Sequence, residues 1–271
     1  MDATNAQAIG ALRRAWPSPW WAFGALLILC WSLLLIMHGS AHVMHGSDSV
    51  GSIAAMWALM TVAMMAPTAV PVLASLRNVL SNGSMRPWWG FLAAYLVVWL
   101  GFAGMAAALQ RGLIGLDLIG PTGSSSSRAL SVVVLAGAGV YQLTSVKQRC
   151  LIQCVNPMTF FLRHWRDGTR GGVRMGTRHG VTCVGCCWAL MLLALVGGMS
   201  NVVFMVGAAA LMFIEKLPAV ARRITVPIGV ALLVASAYVL IFGIGAPAAT
   251  PHHHHATAVA NNEMEGSRSH G

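Results

Sequence analysis

Seven apolar runs, parted by short polar stretches, leave a chain like this few ways to fold. They occupy residues 20–37, 53–76, 88–109, 129–146, the two halves of 181–214, and 225–242. A run of about 20 apolar residues is the length of a helix that crosses the ~30 Å hydrocarbon core of a bilayer. The stretch 181–214, at 34 residues, is too long for one span. Its interruption at Gly197, Gly198, Met199, Ser200 and Asn201 divides it into two short spans; one broken or re-entrant element is the other way to lay it out. Only 9% of the residues are charged and 57% are hydrophobic, against about 25% charged in soluble domains. The mean hydropathy of +0.70 agrees. The expected fold is all-α: a polytopic helical membrane domain over residues 20–245 with about seven spans. A polar arm, residues 1–19, precedes it. A polar, His-containing tail, residues 246–271, follows and is expected to be disordered. The arm carries no cleavage pattern, so the first run is expected to stay as a span.

Lysine and arginine set the expected orientation, because cytoplasmic loops carry their excess. With the N-terminus inside, the inside segments hold 14 of the 17 Lys and Arg residues and the outside segments hold 3. Seven of the 14 lie in residues 147–180. The chain reads as a multi-pass membrane protein with a cytoplasmic N-terminus. The formal charge of +10 follows from those loops. It calls for no nucleic acid; the expected partner is the lipid bilayer.

Five of the six cysteines fall in one stretch: Cys150, Cys154, Cys183, Cys186 and Cys187. On a helix, Cys150 and Cys154 share a face at i, i+4. His179, Cys183 and Cys187 do so at i, i+4, i+8. Cys186 adds a thiol three residues past Cys183. Two helices joined by a short basic loop would be neighbours and could bring both sets together. Thiolates with one imidazole are a soft donor set that suits Cu(I), Zn(II) or an iron–sulfur cluster. Copper is the expected metal. Lys147, Arg149 and Arg178 lie nearby in sequence, and their charge would favour the thiolate, which is the ligand. A reducing cytoplasm favours metal ligation over structural disulfides. Cysteine also packs as a small apolar side chain, and Cys30, alone in the first run, is read that way.

Three further groups carry donor atoms. His38, His42 and His45, at i, i+4 and i+7 beyond the first run, would form an outer metal site, with Met37, Met44 and Asp48 near. Imidazole is a common metal ligand and thioether suits Cu(I), although a polar loop lip has the same look. Met56, Met60 and Met64 repeat every four residues in the second run, with Met65 beside them. They would be a transfer path from the outer to the inner site, or simply core packing. Glu215 and Lys216, at the end of the sixth run, read as an ion pair or a snorkelling pair at the membrane edge. His252 to His255 and His270 in the tail would bind metal non-specifically.

Some of these residues also form longer motifs. They are Trp57-x-x-Met60-x-x-x-Met64-Met65-x-Pro67, Lys147-x-x-Cys150-x-x-x-Cys154 with Pro157, His179-Gly180-x-x-Cys183-x-Gly185-Cys186-Cys187-Trp188-Ala189-Leu190-Met191, Gly198-Met199-x-Asn201, and Glu215-Lys216. Over about residues 50–240 the chain resembles a bacterial family identified only as metal-binding integral membrane proteins of unknown function. The resemblance implies metal binding and a place in the bacterial inner (plasma) membrane, and names neither metal nor activity. The His-rich loop and tail lie at its margins or outside it.

The expected function is the binding of a soft transition metal and its transfer or delivery at the membrane. A soluble metal-binding protein or metalloenzyme would be the second partner. No catalytic residue is assigned, and there is no P-loop for ATP. The rivals are a membrane thiol–disulfide oxidoreductase using Cys183-x-x-Cys186, and an assembly subunit without transport.

Overall fold

The computed structural model describes residues 19–41, 50–80, 84–119, 127–198, 202–217 and 220–243. The regular elements there are helices throughout, as expected. In chain order they are α1 (Pro19–Ala41), α2 (Val50–Met65), a 3-10 turn (Pro67–Ala69), α3 (Val70–Val79), α4 (Arg86–Gly115) and α5 (Arg128–Leu143). Then come α6 (Ser145–Val155), α7 (Pro157–His164), α8 (Gly168–Leu192), α9 (Ala194–Gly197), α10 (Val202–Glu215) and α11 (Ala221–Phe242).

Four helical stretches are long and apolar enough to cross a membrane: Val50–Val79, Arg86–Gly115, Gly168–Gly197 and Arg223–Phe242. A fifth is reached if α5 and α6 count as one span, although a 66° bend parts them. Thr144 makes that bend. Its backbone is extended, and its Oγ1 accepts from Lys147 N at 3.3 Å to cap α6. Two shorter apolar helices, Trp20–Ile36 and Val203–Glu215, match the first and sixth runs.

The basic stretch between the fourth and fifth runs differs from expectation. Instead of a short loop, residues 147–180 are mostly helical, in α6, α7 and the first half of α8. Glycine is a poor helix former in isolation, and this segment is rich in it. The helix forms because the glycines let two backbones meet, a common device between membrane helices. A Cβ at Gly172 would run into the carbonyl of Pro87, and one at Gly176 into that of Phe91. The pair α4–α8 is the most extensive helix packing among the described residues. Cys183, Cys186 and Cys187 therefore sit well inside a continuous helix and not at its junction with a loop. At the far end, Gly198 ends the α8–α9 stretch with φ +82°, a conformation that glycine adopts without strain.

The centre of the bundle is aromatic. Trp57, Trp88, Tyr95 and Trp99 are fully buried, and buried indole and phenol groups need partners. Trp57 Nε1 donates to Gln110 Oε1 at 2.7 Å, tying α2 to α4. Trp88 Nε1 donates to the Leu73 carbonyl at 3.1 Å. Tyr95 OH donates to the Met65 carbonyl at 3.0 Å. On the other side α11 packs along α5, where Ser236 Oγ donates to the Val132 carbonyl at 3.0 Å.

Candidate metal centre

Helices α6 and α8 pack together and bring their cysteines to one place. One sulfur each from Cys154, Cys183 and Cys186 lie mutually within 4.8 Å. Cys186 Sγ is 3.8 Å from Cys154 Sγ and 3.3 Å from Cys187 Sγ. It also donates to the Cys183 carbonyl at 3.2 Å. Three sulfurs bound to one ion at about 2.3 Å in a plane would stand about 4 Å apart. The 3.8 Å between Cys154 and Cys186 is close to that, the triad as a whole lies within 4.8 Å, and all six cysteines are free. Cys183, Cys186 and Cys187 are buried and Cys154 is half-buried. Cys150 is outside the triad. It lies on the same helix as Cys154, with its sulfur against the Cα–H side of Gly185, 3.0 Å from where a Cβ would stand.

His179 is one turn before Cys183 on α8 and only 3% exposed. It is not among the three mutually close donors. Its ring is enclosed by Phe91, Tyr95 and Phe160, at centroid distances of 5.7, 5.9 and 5.3 Å. Its Nδ1 is buried without a hydrogen-bond partner. An orphaned buried nitrogen calls for an explanation, and a ligand to a nearby ion is one.

The charge beside the thiols comes from an unexpected residue. Lys216 is buried, and its Nζ donates to Cys183 Sγ at 2.9 Å and to Thr68 Oγ1 at 2.7 Å. Tyr95 OH is 3.3 Å from the same sulfur. Thr68 Oγ1 in turn donates to the Met65 carbonyl at 2.7 Å. Lys216 thus offsets negative charge that thiolate ligands would carry. The cations expected in this role are elsewhere. Arg149 and Arg178 are exposed. Lys147 is buried in an ion pair with Glu215 at 2.8 Å, and Gln142 Nε2 donates to the other Glu215 oxygen at 2.8 Å. Glu215 and Lys216 are therefore neither paired with each other nor at an exposed membrane edge. Sequence reasoning missed both partnerships. The one available signal was an acid–base pair closing an apolar run.

The methionines of α2 divide. Met60, Met64 and Met65 are buried, and Met56 is half-buried against the core. Of the expected outer site, His42 and His45 lie outside the described residues, and the side chain of His38 does too. So do the tail histidines and Met199.

The arrangement is a buried soft-donor pocket between α6 and α8, with the Lys216 ammonium at its edge, and α8 belongs to a stretch apolar enough to cross a membrane. No curated protein and no solved structure matches the chain. A family model does: PpoB2, described as a copper chaperone, matches residues 54–239. That interval contains the thiol triad, His179, the α2 methionines and the Glu215–Lys216 pair. The chain belongs to the PpoB2 copper-chaperone family.

Proposed function

We propose that this protein is a copper chaperone of the bacterial inner membrane that binds Cu(I) at Cys154, Cys183 and Cys186 and hands it on. The observation that carries the reading is the triad itself: three thiols within 4.8 Å of one another, enclosed by helices, in a chain of a copper-chaperone family. Thiolates are the preferred ligands of Cu(I). A pocket already shaped for three of them loses little conformational freedom on binding.

Handing on requires that ligands be exchanged one at a time. Cys187, 3.3 Å from Cys186, is placed to replace a leaving thiol. His179, with its unused nitrogen one turn away, is a further stop toward the arginine-rich end of α8. Lys216 keeps the site from carrying unopposed negative charge when the ion is absent. The α2 methionines would form the route on the other side, and His38, His42 and His45 the outer site. A soluble metal-binding protein or metalloenzyme would be the giver or receiver. The positive-inside bias supports a cytoplasmic position for the arginine-rich end of α8.

Burial favours this reading over a thiol–disulfide oxidoreductase. Such an enzyme must present a thiolate to a partner's disulfide, whereas Cys183 and Cys186 are each 1% exposed. The test is Cu(I) titration of the purified protein in detergent against a competing chelator. Wild-type protein should bind the ion tightly. Cys154→Ser, Cys183→Ser and Cys186→Ser should each weaken that binding, and the triple variant should lack it. Tight binding unchanged in the triple variant would sink the assignment.

A further inference from the structure

Beyond the thiol triad, a small cavity lies between α2, α8 and α10, and its volume is about 10 Å³. Met60 and Met64 of α2, Met191 of α8 and Met205 of α10 line it, and Leu190 and Phe204 close it with alanines. We infer that this cavity is a second metal site, built of methionine thioethers, for a soft monovalent cation of the Cu(I) or Ag(I) type. The inference rests on the copper reading above and adds a site of different chemistry to it.

Four of eight lining residues are methionine, although methionine supplies only 16 of the chain's 271 residues. Chance would put fewer than one there. The four come from three helices that are far apart in sequence, and each is at most 4% exposed. The space is about that of one water, but a buried water needs two to four polar partners. The lining side chains include no polar group. Thioether sulfurs are the donors that the lining side chains offer, and they select soft ions. Being uncharged, they hold Cu(I) more weakly than thiolates do, which suits a site from which the ion must leave.

Its place in the fold supports the reading. Met191 follows Cys187 by four residues on α8, about 6 Å along the helix axis. It ends a row of soft donors at four-residue spacing: Met175, His179, Cys183, Cys187 and Met191, each at most 3% exposed. Successive members turn by about 40° around the axis, so the row winds from the α7 side to the α2–α10 side. The thioether cavity lies where it arrives. Two methionines of the α2 stripe, Met60 and Met64, thereby acquire partners from other helices, whereas Met56 and Met65 do not line the cavity.

The full chain in detergent tests this. Cu(I) is titrated against a graded chelator series, with X-ray absorption recorded at each plateau. Wild-type protein should take up a tight equivalent with short thiolate bonds, then a weaker one with thioether sulfur. Met60→Leu, Met64→Leu, Met191→Leu and Met205→Leu combined should weaken the second at least tenfold and keep the first. Cys154→Ser, Cys183→Ser and Cys186→Ser combined should do the reverse. The single changes Met64→Leu and Met205→Leu, each conservative in volume, should each weaken the second equivalent if the fourfold variant fails to fold. A weaker equivalent that survives every leucine change overturns the thioether site while leaving the triad standing. A wild-type protein that takes up no Cu(I) overturns both.

Discussion

Lys216 holds its ammonium 2.9 Å from the sulfur of Cys183, and the two residues are 33 positions apart in the chain. A buried cation whose neighbours are a thiol, a threonine and a phenol is a costly arrangement, because burying an unpaired charge is strongly unfavourable. It is understandable if its partner is a thiolate. Hydrogen bonds to charged groups contribute about 1.5–3 kcal/mol. Lys216→Gln, which removes the charge and keeps a polar head, should therefore weaken Cu(I) binding by roughly tenfold to a hundredfold. Chelator competition at fixed pH measures this. Unaltered affinity would mean that Lys216 is only structural.

The Lys147–Glu215 pair makes the opposite kind of contribution. Both groups are buried and bonded at 2.8 Å, far from exposed solvent. Removing one partner of such a pair costs about 3–5 kcal/mol, because the other charge is left alone. Glu215→Gln should lower the thermal midpoint in detergent sharply. Adding Lys147→Met should restore most of it, since the glutamine still offers Gln142 an acceptor.

Helix spacing yields a third prediction. Gly172→Ala and Gly176→Ala place a methyl against the α4 backbone, which has no rotamer to move away. Each should destabilise the protein by about 3 kcal/mol or more, the upper range for overpacking. Gly101→Ala and Gly104→Ala, on α4 with nothing within 4 Å of the added carbon, should be neutral or stabilise by about 0.5–1 kcal/mol. Thermal unfolding monitored by size-exclusion chromatography separates the two pairs.

Among the five clustered cysteines, Cys150 is expected to stand apart. Its sulfur is not one of the three within mutual reach. Cys150→Ser should leave Cu(I) stoichiometry unchanged, while Cys154→Ser, one turn along the same helix, should not. Equal losses in both would place Cys150 in the site.

The charge bias sets the topology to be tested. A reporter fused after Arg170 should report cytoplasm, and one fused after His45 the outside. If residue 170 proves external, the triad lies in an oxidising compartment and disulfide chemistry becomes the better reading.

How much of this was readable beforehand differs from residue to residue. The helical class came from the apolar runs, since hydropathy over about 20 residues is a local property. The convergence of the two cysteine groups was expected from a short joining loop, but α7 stands between α6 and α8, and it is the packing of α6 on α8 that brings Cys154 to Cys183 and Cys186. The basic stretch misled because its glycines look like a loop until the α4 backbone is set against them. Donor identity, helix length and the clustering of cysteines within 40 residues are thus properties of the one-dimensional chain. Which donors face one another is not. Lys216 reaches Cys183 across 33 residues, Glu215 reaches Lys147 across 68, and Met60, Met64, Met191 and Met205 meet from three helices. Those meetings depend on helix rotation and crossing. Both are decided by side-chain packing between segments that carry no mark of each other in the sequence.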